Sequence, residues 1–280
     1  MPVVATNTAA NSALRYLNNN SSEASASVGK LASGSRIVKA SDDAAGLAIG
    51  TRLMADVTAL TQAGINASQG ASVVQVADGG LGRIGDVLQR MKALAAQSLS
   101  GVPTDTERGF IDAEFQQLVG EITDIADTTR FNGQSLLGTS STAGVAIADY
   151  FVGTDVSDTI TVNFNTLAAT SNFTSTALAV AVSVDTAGGA SAAMAAIDTA
   201  INTVSEARAT SGALISRFEF RGQQIATSLE NIDAAKSAIM DVDLAAEQSK
   251  LVSNQVLVQA AVSAVSQANQ IPQSLLRVLQ

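Results

Sequence analysis

Apolar positions follow a seven-residue helical rhythm at both ends of the chain and lose it in the middle. Near the N-terminus Leu14, Leu17, Ala24, Val28 and Leu31 recur in steps of three and four, with Ser21 and Ala24 as small slots. Near the C-terminus Phe218, Ile225, Ile232 and Ile239 recur every seven residues. Such spacing draws one apolar stripe along a helix and calls for a partner helix. Residues 139–190 are instead rich in Thr, Ser, Ala, Val and Gly. The pattern predicts a mainly α chain: a long antiparallel helical bundle or coiled-coil rod, discontinuous from both termini, with a small β-hairpin region in the middle.

A first helix is expected over residues 5–33, with a break from Gly34 to Lys39. Ser41, Asp42 and Asp43 then offer capping oxygens at the positive end of a second helix dipole. That helix should run from Ala44 to about Leu99, with Leu81, Ile84, Leu88, Met91 and Ala95 in heptad steps. Gly79, Gly80, Gly82 and Gly85 cost roughly 1 kcal/mol each against Ala, so a break is most expected there. Gly101 and Pro103 mark a turn, and Thr104 or Asp105 can cap a third helix whose seam is Ile111, Phe115, Leu118, Ile122 and Ile125. Asn132-Gly133 is a turn signal. Tyr150 to Val152 and Thr159 to Phe164 alternate like the strands of a hairpin. Residues 165–191, low in charge, read as a surface excursion. Helix is expected again after Ala192, with candidate breaks at Gly212, Gly222 and Asp241 to Asp243, until Pro272 stops it near Gln270. Leu275, Leu276 and Leu279 form an apolar tail that is costly to leave in water.

The chain thus leaves one layer, makes an excursion and returns. Residues 1–40 with 239–280 are expected to form an inner coiled-coil domain, 41–138 with 192–238 an outer helical domain, and 139–191 the hairpin and a short exposed region. Terminal heptads this long have few elements of their own chain to cover them. Polymerisation would supply the missing burial and offset the ordering entropy. Residues 1–40 and 239–280 are therefore expected to be largely unfolded in a free monomer and to order on assembly.

Composition narrows the chemistry. The 280 residues contain no His, Cys or Trp. That removes imidazole bases, thiol nucleophiles, zinc–thiolate sites and disulfides. No acids converge, so no catalytic residue, cofactor site or metal site is expected. Asp42 and Asp43 read as a helix cap before they read as metal ligands, and the glycines from 79 to 85 lack the Gly-Lys-Ser/Thr of a phosphate loop. A net charge of −9 argues against nucleic acid, which needs a basic patch. The longest apolar run, Ala177 to Val184, falls short of the ~20 residues of a membrane span. The first residues lack the basic and apolar regions of a signal peptide.

Several stretches together resemble bacterial flagellin. They are Lys30 to Ile37, Ser41 to Ile49, Gln62 to Ala67, Leu88-Gln89-Arg90 and Thr129 to Gly133, then Ala235 to Asp243 and Gln267 to Gln273. The resemblance covers about residues 1–164 and 193–280. Ala238 stands where the family often has Arg. The short middle leaves no room for the large outer domains of longer relatives.

What the resemblance implies is a structural subunit of the bacterial flagellar filament, built for motility through coiled-coil packing of its ends. Leu14, Leu17, Val28, Leu31, Ile232, Ile239, Leu251, Val265, Leu275 and Leu276 are the expected subunit-packing residues. The partners implied are other copies of the chain or paralogous flagellins, the flagellar cap, junction proteins, an export chaperone and the type III export apparatus. The location implied is extracellular, reached without a cleaved signal peptide. Gln89, Arg90, Leu94 and Glu114 match a segment recognised by an animal Toll-like receptor, although Lys92 and Ala93 stand where recognised relatives carry Arg and Glu. A hook–filament junction protein of the same assembly, or a signalling coiled coil, are the alternative readings.

Overall fold

The computed structural model describes residues 7–138, 147–163 and 173–278, with the backbone alone at 147 and 271–278. Phe164, most of the short middle and the side chains of Leu275 and Leu276 therefore lie outside the described residues.

Among the described residues five helices are named: α1 (Thr8–Ser33), α2 (Ala44–Leu99), α3 (Asp105–Thr128), α4 (Ala187–Met240) and α5 (Leu244–Val278). Their starts are set by short polar side chains. The Asn7 side chain accepts the Ala10 N–H at 3.0 Å, Asp43 accepts Gly46 N–H at 2.8 Å, and Asp243 accepts Ala245 N–H at 2.9 Å. These bonds satisfy donors that a helix start leaves free. At α3 the Glu107 carboxylate takes both the Thr104 N–H (2.7 Å) and its hydroxyl (2.9 Å). α1 ends on Gly34 at φ +70°, a left-handed position suited to glycine.

Three expectations change. α2 runs unbroken through the glycines from 79 to 85, and α4 through Gly212 and Gly222. Burial of the neighbouring Leu81, Ile84 and Leu88 outweighs the propensity cost. The helix also continues past Pro272 to Val278; a proline removes one ladder bond without having to end the helix. Of the candidate breaks in the C-terminal half, the one at Asp241 to Asp243 is real.

Two antiparallel ribbons complete the fold. β1 (Arg130–Phe131) and β2 (Gln134–Ser135) are joined by Asn132 and Gly133, at φ +50° and +79°. Positive φ at both central residues is the tight hairpin turn that Asn-Gly favours. β3 (Ile147–Phe151) pairs with β4 (Thr159–Asn163) in a register that sets Tyr150 opposite Ile160. This is the sequence-predicted hairpin.

The chain divides into two compact units, each built from both halves of the sequence: residues 1–57 with 231–280, and residues 58–230. The boundaries fall inside α2 and α4 rather than at the helix breaks near residues 40 and 239.

The central unit, 58–230, has a dense core. Leu81, Ile84, Leu88 and Met91 of α2, Phe115 and Ile122 of α3, and Ile197 of α4 are fully buried. On α4 the buried column continues through Ala193, Ala200, Val204 and Ala207 in heptad steps, small residues that let helix axes approach. Gly70 does the same for one large ring: a Cβ there would lie 2.6 Å from Phe218 Cε1. The Phe218 ring in turn meets Tyr150 edge-on, centroids 5.5 Å apart. Burial pushes the Tyr150 phenol up from its ordinary pKa.

Residues 173–185 correct the expectation of a surface excursion. Phe173, Val180 and Val184 are fully buried. Ser98 Oγ donates to Val184 O at 2.5 Å, and Asp112 accepts Val184 N–H at 2.7 Å and Ser183 Oγ–H at 3.0 Å. With its one charge, Asp185, exposed at the end, this Thr- and Ser-rich stretch can enter the core because α2 and α3 supply partners for its backbone.

Candidate assembly surfaces

Within the terminal unit α1 and α5 pair antiparallel. Asn7 Nδ2 donates to Ala268 O at 2.8 Å at one end. At the other, Arg36 N donates to Met240 O at 2.6 Å and Val242 N to Gly34 O at 3.1 Å. Ser35 Oγ also reaches Met240 O (3.0 Å), and the Arg36 guanidinium caps Ile239 O (2.8 Å). The two helix breaks are thus tied to each other by backbone bonds. Gly50 makes room for Met240, whose Cγ would lie 2.7 Å from a Cβ there.

Between these anchors runs a heptad seam. On α1 a series of residues with reduced exposure runs Ala10, Ala13, Leu17, Asn20, Ala24, Ser27 and Leu31; on α5 it runs Glu247, Leu251, Asn254, Val258, Ala261, Val265 and Ala268. Both series alternate steps of three and four, as two helices in mutual contact require. Yet the seam is thin. Its apolar members are mostly Ala and Val, and two of its polar atoms, Glu247 Oε1 and Asn254 Nδ2, are buried without a hydrogen-bond partner. At ~25 cal/mol per Å² such small side chains yield little, and each unpaired buried polar atom costs ~1–3 kcal/mol.

The outward faces of the same helices remain apolar. Leu14, Tyr16 and Val28 of α1 and Val252, Val256, Leu257 and Val262 of α5 are all exposed. Val252, Gln255, Val256, Gln259 and Ser263 line a shallow groove along α5. Helix rows this apolar are unusual on a surface meant to stay in water.

The expected packing residues divide accordingly. Leu17, Leu31, Leu251 and Val265 face the α1–α5 seam, whereas Leu14 and Val28 point outward. The single N-terminal stripe read from the sequence is therefore two stripes. Ser21 joins the outward one, and Asn20 and Ser27 take seam positions that a search for apolar residues passes over. Ile232 and Ile239 are half-buried.

Gln89, Arg90 and Glu114 share an exposed face of the central unit. Arg90 Nε and Nη2 both donate to Glu114 Oε1, at 3.0 and 2.5 Å. Leu94 does not join them: at 2% exposure it belongs to the core. Lys92 pairs with Asp198 at 2.5 Å, and Arg208 with Asp78 at 3.0 Å; the latter bond raises the guanidinium pKa further. These exposed pairs are worth ~0–1 kcal/mol each.

Asp43 caps α2, whereas Asp42 closes the turn before it. Asp42 Oδ2 accepts Lys39 N–H (3.1 Å) and Val38 N–H (3.2 Å), and those donors, Lys39 first, hold its carboxyl below the ordinary range. Among the described residues no group of His, Cys, Asp and Glu is arranged to hold a metal, and no helix is long and apolar enough to cross a membrane.

The exposed apolar rows of α1 and α5 are candidate association faces. A family model described as the bacterial flagellin N-terminal helical region matches residues 4–142, and one described as the C-terminal helical region matches 194–279. A flagellin of Halalkalibacterium halodurans is 37% identical over 250 residues, 89% of each chain. A flagellar filament 30.7 kDa core protein of Treponema maltophilum is 34% identical over 273 residues, 95% of each chain. The crystal structure of Bacillus cereus flagellin superposes with a TM-score of 0.50 at 27% identity, covering 61% of this chain and 94% of that one.

Proposed function

This chain belongs to the bacterial flagellin family, and from that premise we propose how its two units divide the work of a filament subunit. The chain is a structural subunit that self-assembles into the bacterial flagellar filament, and it is not an enzyme. In our reading the terminal unit is the joining part and the central unit the preformed part. The observation that carries this reading is the exposed apolar row on both terminal helices, Leu14 and Val28 on α1 and Val252, Val256 and Val262 on α5. Covering these rows with the same helices of neighbouring copies buries them and completes the thin seam. Residues 1–40 and 239–280 then order on assembly.

Export as unfolded chain through the type III apparatus to an extracellular site fits a protein with no disulfide to form and terminal helices that gain their partners late. An export chaperone, the cap and the junction proteins would meet the same terminal rows, since these are the faces left open in a single copy. An animal Toll-like receptor is a further partner in this reading, through Gln89, Arg90 and Glu114; Leu94, being buried, would act only by holding α2 in place.

Sedimentation of purified protein tests the reading. The full chain should pellet as polymer, seen as long tubes by electron microscopy. The chain lacking 239–280 should stay in the supernatant while the central unit keeps its helical circular dichroism. A truncated chain that pellets as readily as the full one would overturn it.

A further inference from the structure

The seam between α1 and α5 is built inside out. Two of the polar atoms it buries, Glu247 Oε1 and Asn254 Nδ2, have no hydrogen-bond partner. Larger apolar side chains stand outside it, with Leu14 and Val28 exposed on α1 and Val256 62% exposed on α5. Glu247 and Asn254 lie one heptad apart on α5, so they share the seam face. Between them sits Leu251. Among the described residues of α5, Leu251 and Ala268 are the buried apolar side chains. Asn254 is 5% exposed, so bulk water does not stand in for the missing partner of its amide.

The order of these residues along the seam matters. The two helices are tied at one end, where Gly34 O accepts Val242 N–H at 3.1 Å and Met240 O accepts Arg36 N–H at 2.6 Å. A seam that closes from this end buries Glu247 first, Leu251 next and Asn254 after it. A polar group buried without a partner bears the whole cost of its lost hydration. Helices in proteins are held mainly by the apolar face they bury. Here that face begins with one Leu set between two unpaired polar atoms.

We propose that Glu247 and Asn254 hold the terminal helix pair open in a single copy and so set the threshold for its assembly. The inference rests on the filament-subunit reading and names the side chains that make the terminal unit depend on other copies. In a free chain the helices separate and water hydrates both groups. In the filament, cover of Leu14, Val28, Val252 and Val256 by neighbouring copies offsets the two unpaired atoms and the seam closes.

Replacing both residues in the full chain tests it. Glu247→Leu with Asn254→Leu should slow the exchange of α1 and α5 amides in dilute monomer at least about a hundredfold, about tenfold for each unpaired atom removed, with ~1.4 kcal/mol as a factor of ten. The concentration needed for polymer should fall at least about tenfold by the same conversion. Ser253→Ala changes helix propensity at an exposed position of the same helix and should move either reading by no more than about twofold. If the double variant sediments as aggregate without tubes, Asn254→Ala alone takes its place, with the same signs and about a tenfold change in exchange. A role in packing alone predicts the opposite signs. Exchange no slower than in wild type, a higher concentration for polymer, or an equal shift from Ser253→Ala would overturn the inference while wild-type polymer left the filament reading intact. Wild-type protein that forms no polymer would overturn that reading, and the exchange comparison would still decide whether these two residues hold the pair open.

Discussion

The α1–α5 pair and the α2–α3–α4 core are made of the same helical material and reach opposite outcomes. In the central unit three helices share fully buried Leu81, Leu88, Met91, Phe115, Ile122 and Ile197. In the terminal unit two helices share a seam of Ala10, Ala24, Leu251 and Ala268, interrupted by buried Asn254 and Glu247 atoms without partners. Two helices bury one face each and leave the other in water; a third helix is what lets a stripe on each side find cover. Helix stability in proteins comes mainly from that cover, not from propensity. In the proposed reading the terminal unit is a set of helices whose completion lies in other copies.

The strongest way to break the comparison is to remove one partner. Loss of α5 should abolish sedimentable polymer while the monomer keeps the cooperative melt of the central unit. Next comes a matched pair of core truncations. Phe115→Ala should destabilise the monomer by about 3–5 kcal/mol. Leu251→Ala, at a seam position, should move the monomer melt by no more than about 0.5 kcal/mol and act instead on the concentration needed for polymer. Equal effects of the two changes on the monomer would erase the distinction. Smaller again, Gly70→Ala drives a methyl into the Phe218 ring and should cost about 1–3 kcal/mol, read by the same melt.

Acid gives the smallest effect and touches the caps. The Glu107 carboxyl is held below its usual range by the Thr104 N–H and then by the Thr104 hydroxyl. A carboxyl depressed on folding contributes stability above its unfolded pKa, about 4.3, and loses it as pH falls through the lower folded value. Wild type should therefore lose more stability than Glu107→Gln between pH 5 and pH 3, as ranges of about those values, in paired urea melts. Parallel curves would show that the bond at the start of α3 has no electrostatic share.

Much of this comparison was legible in the residues. The heptad steps of Leu81 to Ala95 named the central core, because large side chains at helical spacing have few other uses; of the α3 seam Phe115 and Ile122 are core, while Ile111, Leu118 and Ile125 stay half-exposed. Asp43, Thr104 and Asn132-Gly133 announced their caps and turn by local chemistry alone. The break at Asp241 to Asp243 was one of three candidates, and what singles it out is tertiary: Gly34, Ser35 and Arg36 bond across to Met240 and Val242. The terminal seam lies one residue away from the stripe of large residues at three of its positions, Ala13, Asn20 and Ser27. Leu14 and Val28 drew attention as the large residues, but the seam uses the small Ala10 and Ala13 and the polar Asn20 and Ser27. A stripe of large residues marks burial without saying whether its own chain or another supplies the cover. Residues 173–185 differ for a related reason: low charge and many hydroxyls suit a loop, and their burial rests on partners distant in sequence, Ser98, Asp112, Gln116, Thr123 and Leu137. Arg108 gave no signal, since nothing in its neighbours shows that three carbonyls converge on it.

The most direct test is hydrogen exchange, region by region, on dilute monomer and on assembled filament. Amides of α2, α3 and α4 between residues 58 and 230 should exchange slowly in both states. Amides of α1 and of α5 should exchange within the dead time in the monomer and become protected in the filament. Slow exchange along α1 and α5 in the monomer would contradict the claim that these helices are completed only by other copies.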